Sequence, residues 1–153
     1  MKRIAILCAF AFCSACARSD TRLSVDLAKL VRDDHQELVD LARLDGPEWQ
    51  RVCFLAPYTN SEGAGKILGF DWDSDSYTSI RESDGIAVIV LVTDRKVVSF
   101  AEHPRNLGDL SDVGVGCLPR AAAKLARVRG TDGWLRLVRS RGPNKSLERT
   151  REK

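Results

Sequence analysis

Histidine is scarce in this 153-residue chain, with only His35 and His103 present. A catalytic thiol needs an activating base and a zinc set needs four well-spaced ligands, and neither His stands near a later Cys in sequence. No Ser, Cys or Asp is spaced from either His in a way that specifies a catalytic partner, so a hydrolase would have to assemble its site in space, with His103 beside Glu102 at a strand end as its base. Long apolar runs are missing as well. The longest, Ile4 to Cys13, has ten residues, whereas a membrane-spanning helix takes about 20. No internal repeat is present. Nor does the body of the chain carry excess positive charge. Residues 19–138 hold 15 Lys/Arg against 19 Asp/Glu, and the basic excess sits in residues 139–153, with six against two. A nucleic-acid binder places its positive charge on the folded face, so the basic overall balance is no argument for nucleic acid.

What is present fits one globular domain. Hydrophobic residues make up 44% and charged residues 29%, unlike a disordered chain. At the N-terminus Lys2 and Arg3 precede the run IAILCAFAFC, and Ser14, Ala15, Cys16 and Ala17 follow. Positive region, apolar run and small residues in that order make a secretory signal peptide over residues 1–17. Cys13-Ser14-Ala15-Cys16 resembles the lipobox of bacterial lipoproteins, although Cys13 stands where that family usually has Leu. The resemblance implies cleavage before Cys16, acylation of Cys16 and a lipid anchor in a membrane. Ala17 after the Cys implies delivery to the outer membrane of a diderm bacterium. The rival is cleavage after Ala17, which gives a soluble periplasmic or secreted protein.

With the signal removed, two cysteines remain, Cys53 and Cys117. An even pair in an oxidising compartment reads as a disulfide; two free thiols or a metal site are the alternatives.

Along the mature chain, Leu23, Leu27, Leu30, Leu38, Leu41 and Leu44 keep the three-and-four spacing of one helical face, which predicts a helix over 21–44 ended by Gly46-Pro47. Residues 50–56 are β-formers closed by Pro57. Residues 58–69 read as a loop with one helical turn. Two β-branched runs, 86–92 and 97–101, flank the short link Thr93 to Lys96 and predict an antiparallel hairpin. The first run is apolar on both faces, as a strand covered on both sides would be. Residues 121–130 fit helix or strand, and a second hairpin reaching Val138 is favoured. His103 then falls in a loop, and 139–153 reads as a disordered basic tail. The fold class is α+β: one long N-terminal helix packed on a four- or five-stranded, mostly antiparallel sheet, in a single domain over 18–138.

Three motifs carry candidate chemistry. Asp71, Asp73, Asp75, Ser79 and Glu82 open like a calcium loop, but Ser76 replaces the turn-forming Gly and the flanks are not two helices; a solvated acidic loop is the plainer reading. Gly63-Ala64-Gly65-Lys66 is a partial match to a phosphate loop, lacking its first Gly and the Ser/Thr after Lys. Tyr58, Phe70, Trp72 and Tyr77 lie around one loop-rich segment and would line a binding surface if folding gathers them. No cofactor and no metal are assigned. The sequence therefore points to an exported envelope protein, a non-enzymatic binding or accessory module held by a lipid anchor beside an envelope partner. A small hydrolase or a calcium-binding protein is the alternative.

Overall fold

The computed structural model describes residues 18–140 except Val115. The domain is α+β, built on two sheets. The larger has the order β1-β5-β4-β3-β6, from β1 (Arg18–Ser19), β3 (Arg51–Leu55), β4 (Ile86–Thr93), β5 (Lys96–Pro104) and β6 (Cys117–Pro119). β1 is parallel to β5 and every other pairing is antiparallel. The smaller sheet is antiparallel, ordered β2-β7-β8, from β2 (Leu38–Asp40), β7 (Lys124–Arg129) and β8 (Leu135–Arg139).

The β4–β5 hairpin forms where the two β-branched runs predict it, and its two-residue loop is Asp94-Arg95. Asp94 takes a positive φ of 50°, a conformation that Asp tolerates better than most residues. From Ala87 to Val92 every residue of β4 is buried, so the strand is covered on both faces. Ala87, Ile89 and Leu91 join Val52, Phe54 and Ala101 under helix α1 (Thr21–Arg32) and the smaller sheet, in a core with Leu23, Leu27, Val31, Val39, Leu125 and Leu137. Val88, Val90 and Val92 face the other way, with Cys53, Leu55, Val97 and Phe100, under helix α2 (Ser61–Leu68). The period-2 alternation of a strand feeds these two cores from one continuous apolar run. A short helix, α3 (Ser74–Tyr77), follows α2.

The long N-terminal helix is not formed. α1 has 12 residues and ends at Arg32; Leu38 lies in β2, and Leu41 in a single 3-10 turn. Leu23, Leu27, Leu41 and Leu44 are all buried, so their spacing marks the core correctly while the backbone between them changes state. The cause is tertiary. β2 pairs with β7, and the Arg127 guanidinium of β7 donates to the carbonyls of Leu30 (2.7 Å), Val31 (2.9 Å), Asp33 (2.9 Å) and Gln36 (2.5 Å). These carbonyls at and beyond the last turn lack intrahelical partners, and a cation there also suits the negative end of the helix dipole.

Residues 124–129 are strand, so the second hairpin is present, but it belongs to the separate sheet. β8 runs through Arg139, opposite Leu125, one residue past the expected domain end. The segment 61–68 is a two-turn helix rather than a loop. Asn60 caps it by accepting from the Gly63 amide at 2.8 Å, and Gly69 ends it at φ 82°, the left-handed position that glycine fills without strain. The signal peptide with Cys16, and residues 141–153 of the basic tail, lie outside the described residues.

Candidate functional site

Cys53 and Cys117 form a disulfide. They stand directly opposite each other on β3 and β6, with Cα atoms 4.1 Å apart. The bond therefore ties the edge strand β6 to its neighbour β3 in the larger sheet. Closing a loop with a separation of 64 residues stabilises the fold by roughly 4 kcal/mol in the chain-entropy account.

Three of the four candidate aromatic residues come together. Phe70, Trp72 and Tyr77, with Asp71, Arg95, Lys96 and Val97, line a surface cleft of about 240 Å³. Trp72 and Tyr77 lie parallel, 4° between planes and 6.2 Å between centroids. Both rest on Phe100 from β5, at 5.2 and 6.1 Å. Tyr77 remains 53% exposed. The positions are set by α2 and α3: the turn after Gly69 brings Phe70 and Trp72 back toward β5, and α3 carries Tyr77 beside them. Tyr58 does not join them. It is 63% exposed at φ 65°, and its amide is bonded to the Ile80 carbonyl at 2.9 Å. Arg95 and Lys96, which the sequence shows only as a hairpin link, are exposed at the rim. The opposite charge at the rim is Asp71.

The acidic segment 71–82 is organised by its own hydroxyls. Asp73 accepts from Ser61 Oγ at 3.1 Å and from Ser76 Oγ at 2.5 Å. These bonds, Ser76 first, hold its carboxyl below the usual range. Asp75 meets Arg81 at 3.4 Å, and Glu102 accepts from the Ser79 amide and hydroxyl at 2.6 and 2.9 Å. Among the described residues, no three His, Cys, Asp or Glu side chains come together as a metal set. The Gly-rich stretch lies within α2, with Ala64 fully covered and Lys66 exposed and paired with Glu62.

His103 is not the surface loop residue expected. It belongs to β5 and is fully buried. Its Nδ1 shares a 2.9 Å hydrogen bond with Ser24 Oγ of α1, and its Nε2 is buried without a partner. Burial lowers its pKa to about 4, against the raising effect of backbone hydrogen bonding at Ser24 and Leu107. The Ser24–His103 distance suits a nucleophile and base. Yet both groups are buried, no carboxylate orients the ring, and neither lines the aromatic cleft or its neighbours along 61–82. His35 is exposed.

A partly buried ion pair lies just past the end of β5. Arg105 grips Asp109 through two bonds, 3.0 and 2.7 Å, and the Ser111 amide adds a third at 2.9 Å. Burial acts to raise the Asp109 pKa, but Arg105 and Ser111 outweigh it and the carboxyl stays below its ordinary value. The Asp109 backbone bridges to β8, with its amide on the Leu135 carbonyl and its carbonyl on the Leu137 amide. Here the charge joins the two sheets. Gly108 allows the approach: at φ 141°, a Cβ would meet Val31 at 3.1 Å.

Among the described residues no helix is long and apolar enough to cross a membrane. Comparison of the chain with protein-family models, curated proteins and solved structures gives no match.

Proposed function

We propose that the chain is an exported, lipid-tethered module of the bacterial cell envelope that acts by binding rather than by catalysis, through the cleft of Phe70, Trp72, Tyr77, Arg95 and Lys96. The observation that carries the reading is the convergence of three aromatic rings and two exposed cations on one surface. Aromatic side chains and Arg are the residues that dominate recognition surfaces, and partly exposed rings on a connecting segment are placed to meet a partner. The Cys53–Cys117 bond supports export, because structural disulfides persist in oxidising compartments. The lipobox-like Cys13 to Cys16 supports the tether. The buried Ser24–His103 contact supports a structural role for His103.

Mass spectrometry of the protein isolated from a diderm host tests the address. The expected species begins at acylated Cys16 and shows no reactive thiol at Cys53 or Cys117 without reductant. A mature chain starting at Arg18 rejects the tether and keeps export. A cytosolic chain that retains Met1 and two free thiols rejects both.

A further inference from the structure

We infer that the aromatic–basic cleft docks on the phospholipid surface into which the chain is anchored, with the β4–β5 turn and the rings beside it toward the headgroups. The inference rests on the tether at Cys16 proposed above and names the partner of that same site.

The argument begins with covalent reach. Arg18 pairs with Ser99 and Ser19 with Phe100, so the chain enters the domain along the outer edge of β5. Two peptide steps separate Cys16 from Arg18, which holds an acylated Cys16 within about 7 Å of β1. The cleft lies at the same edge. Phe100, the register partner of Ser19, carries the Trp72 and Tyr77 rings, and Val97, two residues from the register partner of Arg18, lines the cleft. A lipid chain at that point holds this edge of the sheet near the headgroups.

The chemistry of the surface suits that layer. Tyr collects at membrane interfaces because an apolar ring with a polar handle fits the boundary between chains and headgroups, and Tyr77 is such a ring, stacked on Trp72, whose own indole nitrogen is buried. Lys and Arg reach phosphate oxygens there while their stems cover apolar surface. Arg95 and Lys96 are exposed, and neither side chain has an ion-pair or hydrogen-bond partner among the described residues. Asp71 opposes them, leaving the rim net positive. The cleft, about 240 Å³, is smaller than the roughly 300–1,000 Å³ of pockets that enclose a ligand. A broad surface therefore suits it better than a free small molecule.

The test uses the acylated protein, reconstituted into vesicles of phosphatidylethanolamine and phosphatidylglycerol whose acyl chains are brominated near the headgroup. Bromine quenches a nearby indole. The expected result is a loss of tryptophan emission that persists in Trp134→Phe and disappears in Trp72→Phe. The double variant Arg95→Glu, Lys96→Glu should reduce the loss with unchanged thermal melting, because both residues are exposed at a turn. Acylated Cys16 with no quenching of Trp72, or quenching through Trp134 instead, overturns the inference and leaves the tether standing. Trp72 shielded from aqueous acrylamide yet unquenched by lipid shows a protein over the cleft and also overturns it. Absence of acyl on Cys16, read by mass spectrometry of the same sample, overturns the tether and the inference together.

Discussion

The two faces of the larger sheet solve the same packing problem with different chemistry. On the face under α1 and the smaller sheet, charged and polar groups are turned inward and most are paired, although His103 Nε2 is not. Arg127 holds four carbonyls at the end of α1, Arg105 and Asp109 close on each other, and His103 meets Ser24. On the face under α2, the interior is apolar and closed by the Cys53–Cys117 bond, while Arg95 and Lys96 stand outside with no partner among the described residues. A guanidinium with four of its five donors on backbone carbonyls holds a fold together, and a cation left at an aromatic rim is available to something else. On the binding proposal, one face carries structure and the other recognition.

Three interventions sharpen this contrast, because each strikes one face. The largest effect is expected from Cys53→Ala with Cys117→Ala. Opening the bridge should lower stability by about 4 kcal/mol, read as a shift of the urea midpoint with a steeper slope, because the unfolded chain is released from its loop, and reductant should reproduce it in the unmodified protein. A shift no larger than that of an ordinary surface substitution would mean that the α2 face holds without its covalent tie.

Acid should act on the opposite face. The unfolded imidazole of His103 takes up a proton near pH 6.5, whereas the folded one does so only at about pH 4. The unfolded state therefore holds more protons between these values. The contribution of neutral His103 is complete above about pH 6.5 and is lost as pH falls toward about 4, by up to about 3 kcal/mol. Asp109, whose pKa is lowered, contributes a loss only at more acid pH. His103→Gln, which keeps a hydrogen-bonding group for Ser24, should flatten the pH 4–6.5 limb in thermal melts; an unchanged slope would show that another group titrates there.

Arg127→Met should cost about 2 kcal/mol, a modest net value for charged hydrogen bonds whose removal leaves partly buried carbonyls unpaired. Arg127→Lys should recover only part of it, since an ammonium group cannot reach four carbonyls as a planar fork does. Faster amide exchange through residues 29–36, with α2 unaffected, is the local signature. Equal loosening of α2 would show that the faces are not independent.

The parts of the fold that were legible in advance are those where local pattern and tertiary environment agree. The run 86–92 is apolar at every position because both of its faces meet a core. The link at 93–96 is short and polar because the chain turns there in two residues. Leu38, Leu41 and Leu44 misled because helical spacing and core membership coincide there without a helix between them. The break after Arg32 is imposed by Arg127, 95 residues on. His103 was misplaced because β5 runs on through Pro104, past the last apolar alternation. At the candidate site, Phe70, Trp72 and Tyr77 were visible as a cluster of aromatic residues. Arg95 and Lys96 were not, because a turn residue becomes part of a site only through what packs beside it.

The amino-acid order alone determined the central hairpin, the apolar run covered on both sides and the two cysteines available for pairing, because strand periodicity, turn chemistry and a small even set of thiols are local properties. Only the tertiary structure decided that there are two sheets, that α1 stops after 12 residues, that His103 is buried against Ser24, and that an aromatic cleft opens beside the entry of the chain. Each of these depends on groups far apart in sequence, and the energy of such contacts is set by burial and geometry that no local window contains.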